Sequence, residues 1–144
     1  MLFFQIITLN KPLKIKEMNQ FSFERLDVWN DSRELAKNIY LITKEFPADE
    51  KFGLMSQIRR SAISVSSNIV EGSYRNSNKE KSYFMNIAFG SLMELLSQII
   101  ISRDLEYITD EQFKTIRALI EKTSNKLASL SNYFKKKTLN AITQ

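Results

Sequence analysis

Only two prolines and three glycines interrupt the 144 residues, and beyond Pro47 no further proline occurs. Folds rich in strands or loops need such breakers at their turns, so stretches this long without them point to helices. The hydrophobic spacing agrees. A first helix is expected over about residues 26–45, with Val28, Leu35, Ile39, Ile42 and Phe46 along one stripe and Trp29, Ala36 and Tyr40 beside it; Pro47 ends it. A second, over about 50–74, places Leu54, Ile58, Ala62, Val65 and Ile69 on its apolar side, and Ser61, Ser64, Ser66 and Ser67 are small enough to let a neighbouring helix come close.

Two capping boxes mark the next starts. In Ser77-Asn-Lys-Glu80 and Thr109-Asp-Glu-Gln112, the hydroxyl accepts one free backbone N–H while the third residue on reaches back to another. The third helix should run to about residue 105. From Ser82 to Ser102 its one charged residue is Glu94, and large apolar groups occupy nearly every side. Such a helix is either central to a core or covered by a partner. The fourth, expected to end near Phe134, has Phe113, Ile116, Leu119, Ile120, Thr123, Leu127 and Leu130 on one side, with Lys114, Arg117, Glu121, Lys122 and Lys126 opposite. Lys135-Lys-Lys137 would then complement its C-terminus.

Four such helices on short connections imply an all-α fold, an antiparallel up-and-down four-helix bundle over residues 21–137. Residues 1–20 are expected to be a flexible extension, with Met18 an alternative start to Met1, and residues 138–144 a flexible tail. The third helix has more apolar surface than one small bundle covers, which points to self-association. Its length matches a membrane span, but Asn86, Glu94, Gln98 and several serines argue against that reading.

Composition narrows the chemistry. The chain has neither Cys nor His, which excludes disulfides, thiolate zinc sites, cysteine nucleophiles and Ser-His-Asp catalysis. A catalytic site, a metal and a cofactor are all expected to be absent, and the missing cysteines agree with a cytoplasmic location. The net charge of +5 permits contact with nucleic acid without requiring it.

Several motifs in succession carry a family resemblance: Phe23-Glu-Arg-Leu-Asp-Val-Trp29, Phe46-Pro47, Gly53-Leu-Met-Ser-Gln-Ile-Arg-Arg60, Ser64-Val-Ser-Ser-Asn-Ile-Val-Glu-Gly72 and Ala88-Phe-Gly-Ser-Leu-Met-Glu94. Together they resemble the bacterial four-helix-bundle proteins encoded in intervening sequences of 23S rRNA genes. The fold is also similar to that of the accessory variability determinant protein of diversity-generating retroelements. The resemblance implies a homopentamer with a central channel and, through the retroelement relatives, binding of nucleic acid and of a reverse transcriptase by basic surface.

The candidate residues follow. Arg60 points to the polar side of the second helix and is a candidate phosphate ligand, whereas Arg59 falls among apolar positions and is expected to pack or pair. Arg75, Lys79 and Lys81 flank the turn between the second and third helices; repeated around a ring they would form a positive collar. Lys114, Arg117 and Lys122 make the fourth helix a second anion-facing wall, or an ordinary solvated face. Asn68, Glu71 and Gly72 are read as structural: Asn68 bridging helices, Glu71 pairing with Arg75, Gly72 allowing close packing or a bend. Glu94 is expected to find a cation, with Arg59 or Arg60 preferred, or to sit at an exposed seam. The functional expectation is a non-enzymatic, self-assembling bundle that binds structured RNA or RNA–DNA; the alternative is a protein-binding adaptor without nucleic-acid contact.

Overall fold

The computed structural model describes residues 18–143; the first seventeen residues, including most of the expected N-terminal extension, lie outside them. Four helices follow in order: α1 (Asp27–Thr43), α2 (Leu54–Ser73), α3 (Asn78–Asp104) and α4 (Asp110–Ile142), with short 3-10 turns at Ser22–Arg25 and Ala48–Glu50. Each helix packs on the helix next to it in sequence, and α1 closes the ring against α4, which makes the antiparallel four-helix bundle. The most extensive contacts are those of α3 with α2 and α4.

The core is a narrow seam. On α3 the buried residues are Ser82, Met85, Ala88, Leu92, Leu95, Ile99 and Ser102, and from Met85 onward they alternate steps of three and four, as coiled-coil packing demands. Phe113, Ile116, Ile120, Thr123 and Leu127 repeat those steps on α4. Most buried hydroxyls in the seam are satisfied locally or across it; Ser61 Oγ finds no partner among the described residues. Thr43 donates to the Ile39 carbonyl and Thr123 to that of Leu119, while Ser82 and Ser131 share a 3.0 Å bond between α3 and α4, with Ser131 also donating to Asn86.

Because the seam is narrow, much of the apolar surface of α3 lies outside it. Tyr83, Phe89, Ile100 and Ile101 are exposed, and Phe84, Ile87, Met93 and Leu96 are half-buried. By length and mean hydropathy, 1.6 over its most apolar window, α3 is also the one helix among the described residues that could cross a membrane.

Both capping boxes form. Ser77 Oγ accepts from the Glu80 N–H at 3.1 Å, and Thr109 Oγ1 from that of Gln112 at 3.1 Å. Between α3 and α4 the chain turns through Glu106, whose φ of 59° is left-handed; its N–H reaches the Arg103 carbonyl and that of Tyr107 reaches Ser102, a Schellman closure without glycine.

The boundaries differ from expectation at two places. The second helix begins at Leu54 rather than near residue 50, because the Glu50 side chain accepts the Leu54 N–H at 2.7 Å and caps it from the preceding turn. The fourth continues to Ile142 rather than stopping near Phe134. Nothing from Lys135 to Asn140 breaks a helix, so Lys135–Lys137 lie inside α4 rather than at its end, and residues 138–142 of the expected tail are helical.

Candidate nucleic-acid interface

Where α1 hands over to α2, the chain builds a groove of about 870 Å³. Tyr40 and Lys44 come from the end of α1, Phe46, Ala48, Lys51 and Phe52 from the turn, and Met55, Ser56, Arg59, Arg60 and Ile63 from successive turns of α2. Lys44, Lys51, Arg59 and Arg60 give it four cations, and among the described residues no carboxylate lines it. The nearby Glu50 is committed elsewhere, capping Leu54 and accepting from the Tyr107 hydroxyl at 3.2 Å. Apolar groups sit openly among the charges: Phe52 is 89% exposed, Ile63 44% and Tyr40 40%. Exposed apolar side chains are ordinary one at a time; several converging on one concavity with cations mark a binding surface.

Arg59 is the fixed part of this groove. Its guanidinium lies over the Tyr40 ring at 4.6 Å, and Nε donates to Thr43 Oγ1 at 2.9 Å, so it packs, as its helical angle requires. Arg60, one residue on, is exposed.

The other predicted cations do not join Arg60 on one surface. Arg75 lies fifteen positions on, just past the far end of α2, about 20 Å away at roughly 1.5 Å per helical residue. It pairs with Glu71 and stacks over Phe84 at 4.6 Å. Lys81 lies over Phe134 at 5.6 Å. Lys79 is exposed and shares a cleft with Tyr83, Lys135, Leu139 and Ile142. On α4, Lys114 is exposed, but Arg117 pairs with Glu121 at 3.0 Å and Lys122 with Asp31 at 3.0 Å. Pairing with acids reduces what Arg75, Arg117 and Lys122 offer an external anion. Lys44, Lys51 and Phe52 are not singled out by sequence reasoning; the clue is the clustering of Lys44 and Lys51-Phe52 around the Pro47 turn.

Of the two alternatives for Glu94, the exposed one holds: it lies on the outer side of α3 and accepts from Gln98 at 3.3 Å, and the preferred pairing with Arg59 or Arg60 does not form because position 94 falls outside the core seam. The expectation for Asn68 needs correction. Asn68 donates to the carbonyl and hydroxyl of Ser64 on its own helix; the bridge to α3 is made by Ser64 itself, 2.8 Å from Ser91 Oγ. Glu71 does pair with Arg75. Gly72 serves close packing, since a Cβ there would come within 2.7 Å of Phe84 Cβ and Met85 Cε.

Two groups titrate away from their ordinary values, and both are outside the groove. Burial pushes the Asp31 carboxyl up, but hydrogen bonding and attraction from Lys126 and Lys122 outweigh it and hold it below 3.8. Burial and the charge of Glu50 raise the Tyr107 phenol. Among the described residues no cluster of three or more carboxylates is placed to hold a metal. What the groove offers is charge and ring surface.

The family model of the 23S rRNA-intervening sequence proteins matches residues 24–129. The chain belongs to that family. Among solved structures, it is similar to the crystal structure of a protein of unknown function from the S23 ribosomal protein family of Bacteroides thetaiotaomicron VPI-5482. The two are 27% identical and superpose with a TM-score of 0.66 over 72% of this chain and 97% of the other. No curated protein matches. The family match spans every residue of the α1–α2 groove and ends within α4.

Proposed function

We propose that this 23S rRNA-intervening sequence protein is a non-enzymatic, self-assembling cytoplasmic bundle that binds nucleic acid, structured RNA or RNA–DNA, through basic surface. The observation that carries the reading is the convergence of Lys44, Lys51, Arg59 and Arg60 on one groove that, among the described residues, no carboxylate lines. Each phosphate neutralised there releases condensed counterions, so affinity comes largely from the salt around the ligand. Self-assembly is supported by Tyr83, Phe89, Ile100 and Ile101, which stay exposed on α3 when the bundle is complete. In a ring such as the pentamer of the family resemblance, one modest groove per subunit becomes several acting together, and avidity raises the overall affinity.

The test is titration of a labelled 23S rRNA fragment at a series of salt concentrations. Binding should weaken linearly in log–log form, and Lys44→Glu with Arg60→Glu should lower both affinity and slope, by roughly one unit for each phosphate that is no longer neutralised. Absent or salt-insensitive binding would overturn the proposal. The same exposed face of α3 also suits an unrelated protein, the adaptor reading, and capture of a partner that survives nuclease treatment would favour it.

A further inference from the structure

We infer that the α1–α2 groove is a single-strand site, taking an unpaired stretch of polynucleotide with phosphates on Lys44, Lys51 and Arg60 and a base against the Phe52 ring. The inference rests on the nucleic-acid reading above and goes further, because charge alone does not distinguish paired from unpaired strands. The rings do.

Phe52 carries the distinction. It is 89% exposed, and Lys51 Nζ stands 5.5 Å from its ring centroid. A duplex keeps its bases stacked on one another and presents a convex rail of phosphates, leaving such a ring with nothing to stack on; an unpaired base offers a free face. The groove is concave, and its volume falls within the range that holds a ligand of nucleotide size. Its lining alternates between charge and apolar surface. Tyr40 and Lys44 stand one turn apart on α1, Lys51 and Phe52 are adjacent in the turn, and Arg59, Arg60 and Ile63 follow on α2. Phosphates alternate with bases along a strand in the same manner. A groove for an amphipathic peptide helix would instead concentrate its apolar anchors in a continuous stripe and keep charge to the rim. The wall is pre-formed, since Arg59 is held over Tyr40 by its bond to Thr43 and needs no reordering when ligand arrives.

The full-length protein is titrated against three fluorescein-labelled probes: a uridine dodecamer, a thymidine dodecamer and a blunt twelve-base-pair RNA duplex. Both single strands should bind more tightly than the duplex. Phe52→Ala, which removes an exposed ring the fold does not use, should weaken the single strands about tenfold, the effect of one unstacked base, while their salt slope is retained. Duplex binding as tight as that of the strands, or no effect of Phe52→Ala, would overturn the single-strand inference and leave nucleic-acid binding standing. Failure of all three probes to bind would overturn both. A preference between the two strands identifies RNA or DNA as the source, and either result supports the inference.

Discussion

Gly72 sits so close to Met85 that a Cβ at position 72 would lie 2.7 Å from Met85 Cε and equally near Phe84 Cβ. The thioether end of Met85 can swing aside; Phe84 Cβ is fixed to the α3 backbone and cannot. Glycine inside a helix ordinarily costs about 1 kcal/mol relative to alanine, so on an open face Gly72→Ala would stabilise the chain. Here the overpacking of about 1–3 kcal/mol should win, because it forces α2 away from the Phe84 end of α3. Urea denaturation should show a lower midpoint for Gly72→Ala, whereas Gly90→Ala, whose Cβ meets nothing within 4 Å, should raise it.

Glu106 presents the opposite case. Its φ of 59° puts an L side chain in the left-handed region at the position where a Schellman closure normally carries glycine. The strain is about 1 kcal/mol, and among the described residues the exposed Glu106 side chain has no hydrogen-bond or ion-pair partner to offset it. Glu106→Gly should therefore raise stability by about 1 kcal/mol, an increase in melting temperature of a few degrees for a domain of this size. An unchanged or lower melting temperature would show that the turn relaxes in solution.

These two positions also show what the sequence can and cannot reveal. The helices are legible because hydrophobic period and capping boxes are local signals, and Ser77 and Thr109 start α3 and α4 where their boxes stand. The turn at Glu106 is harder to read, since no glycine marks it. The end of α4 escapes detection because Lys135 to Asn140 contains no breaker, and a run of lysines reads equally well as a terminus or as a helix face. Within α3, apolar groups on all sides hide which stripe is buried, so the sequence leaves Glu94 open between a buried ion pair and an exposed seam, and its outward position decides for the second. The groove is illegible for a different reason: Tyr40 and Ile63 are far apart in sequence and meet only once the Pro47 turn has folded α2 back along α1.

Acid should loosen the α1–α4 contact first. Asp31 on α1 pairs with Lys122 and Lys126 on α4, and its folded carboxyl is held below 3.8. A group whose folded pKa is depressed contributes stability above its unfolded value, and that contribution is lost as pH falls through the folded one. The pairing should thus act fully at neutral pH and fade below about pH 4. Asp31→Asn should cost about 0.5–1 kcal/mol at pH 7, modest because the lysines are solvent-screened, and much less near pH 3. Equal losses at both pH values, measured by denaturant midpoint, would mean that packing rather than charge accounts for the residue.

Self-assembly has its own signature, separable from folding. Ile100 and Ile101 are 39% and 46% exposed, outside the seam that holds the bundle together. Replacing exposed residues away from the core usually changes stability by less than about 0.5 kcal/mol. If sister subunits cover this side of α3, a lysine at either position introduces an unpaired charge into an apolar contact, at a cost repeated at every interface of the ring. Ile100→Lys and Ile101→Lys should therefore keep the helical content and melting behaviour of an isolated bundle while sedimenting as protomers at concentrations where the unaltered chain sediments as a larger species. Sedimentation of the unaltered chain as a protomer at micromolar concentration would remove the proposed assembly, and with it the avidity on which the proposed nucleic-acid binding by one small basic groove relies.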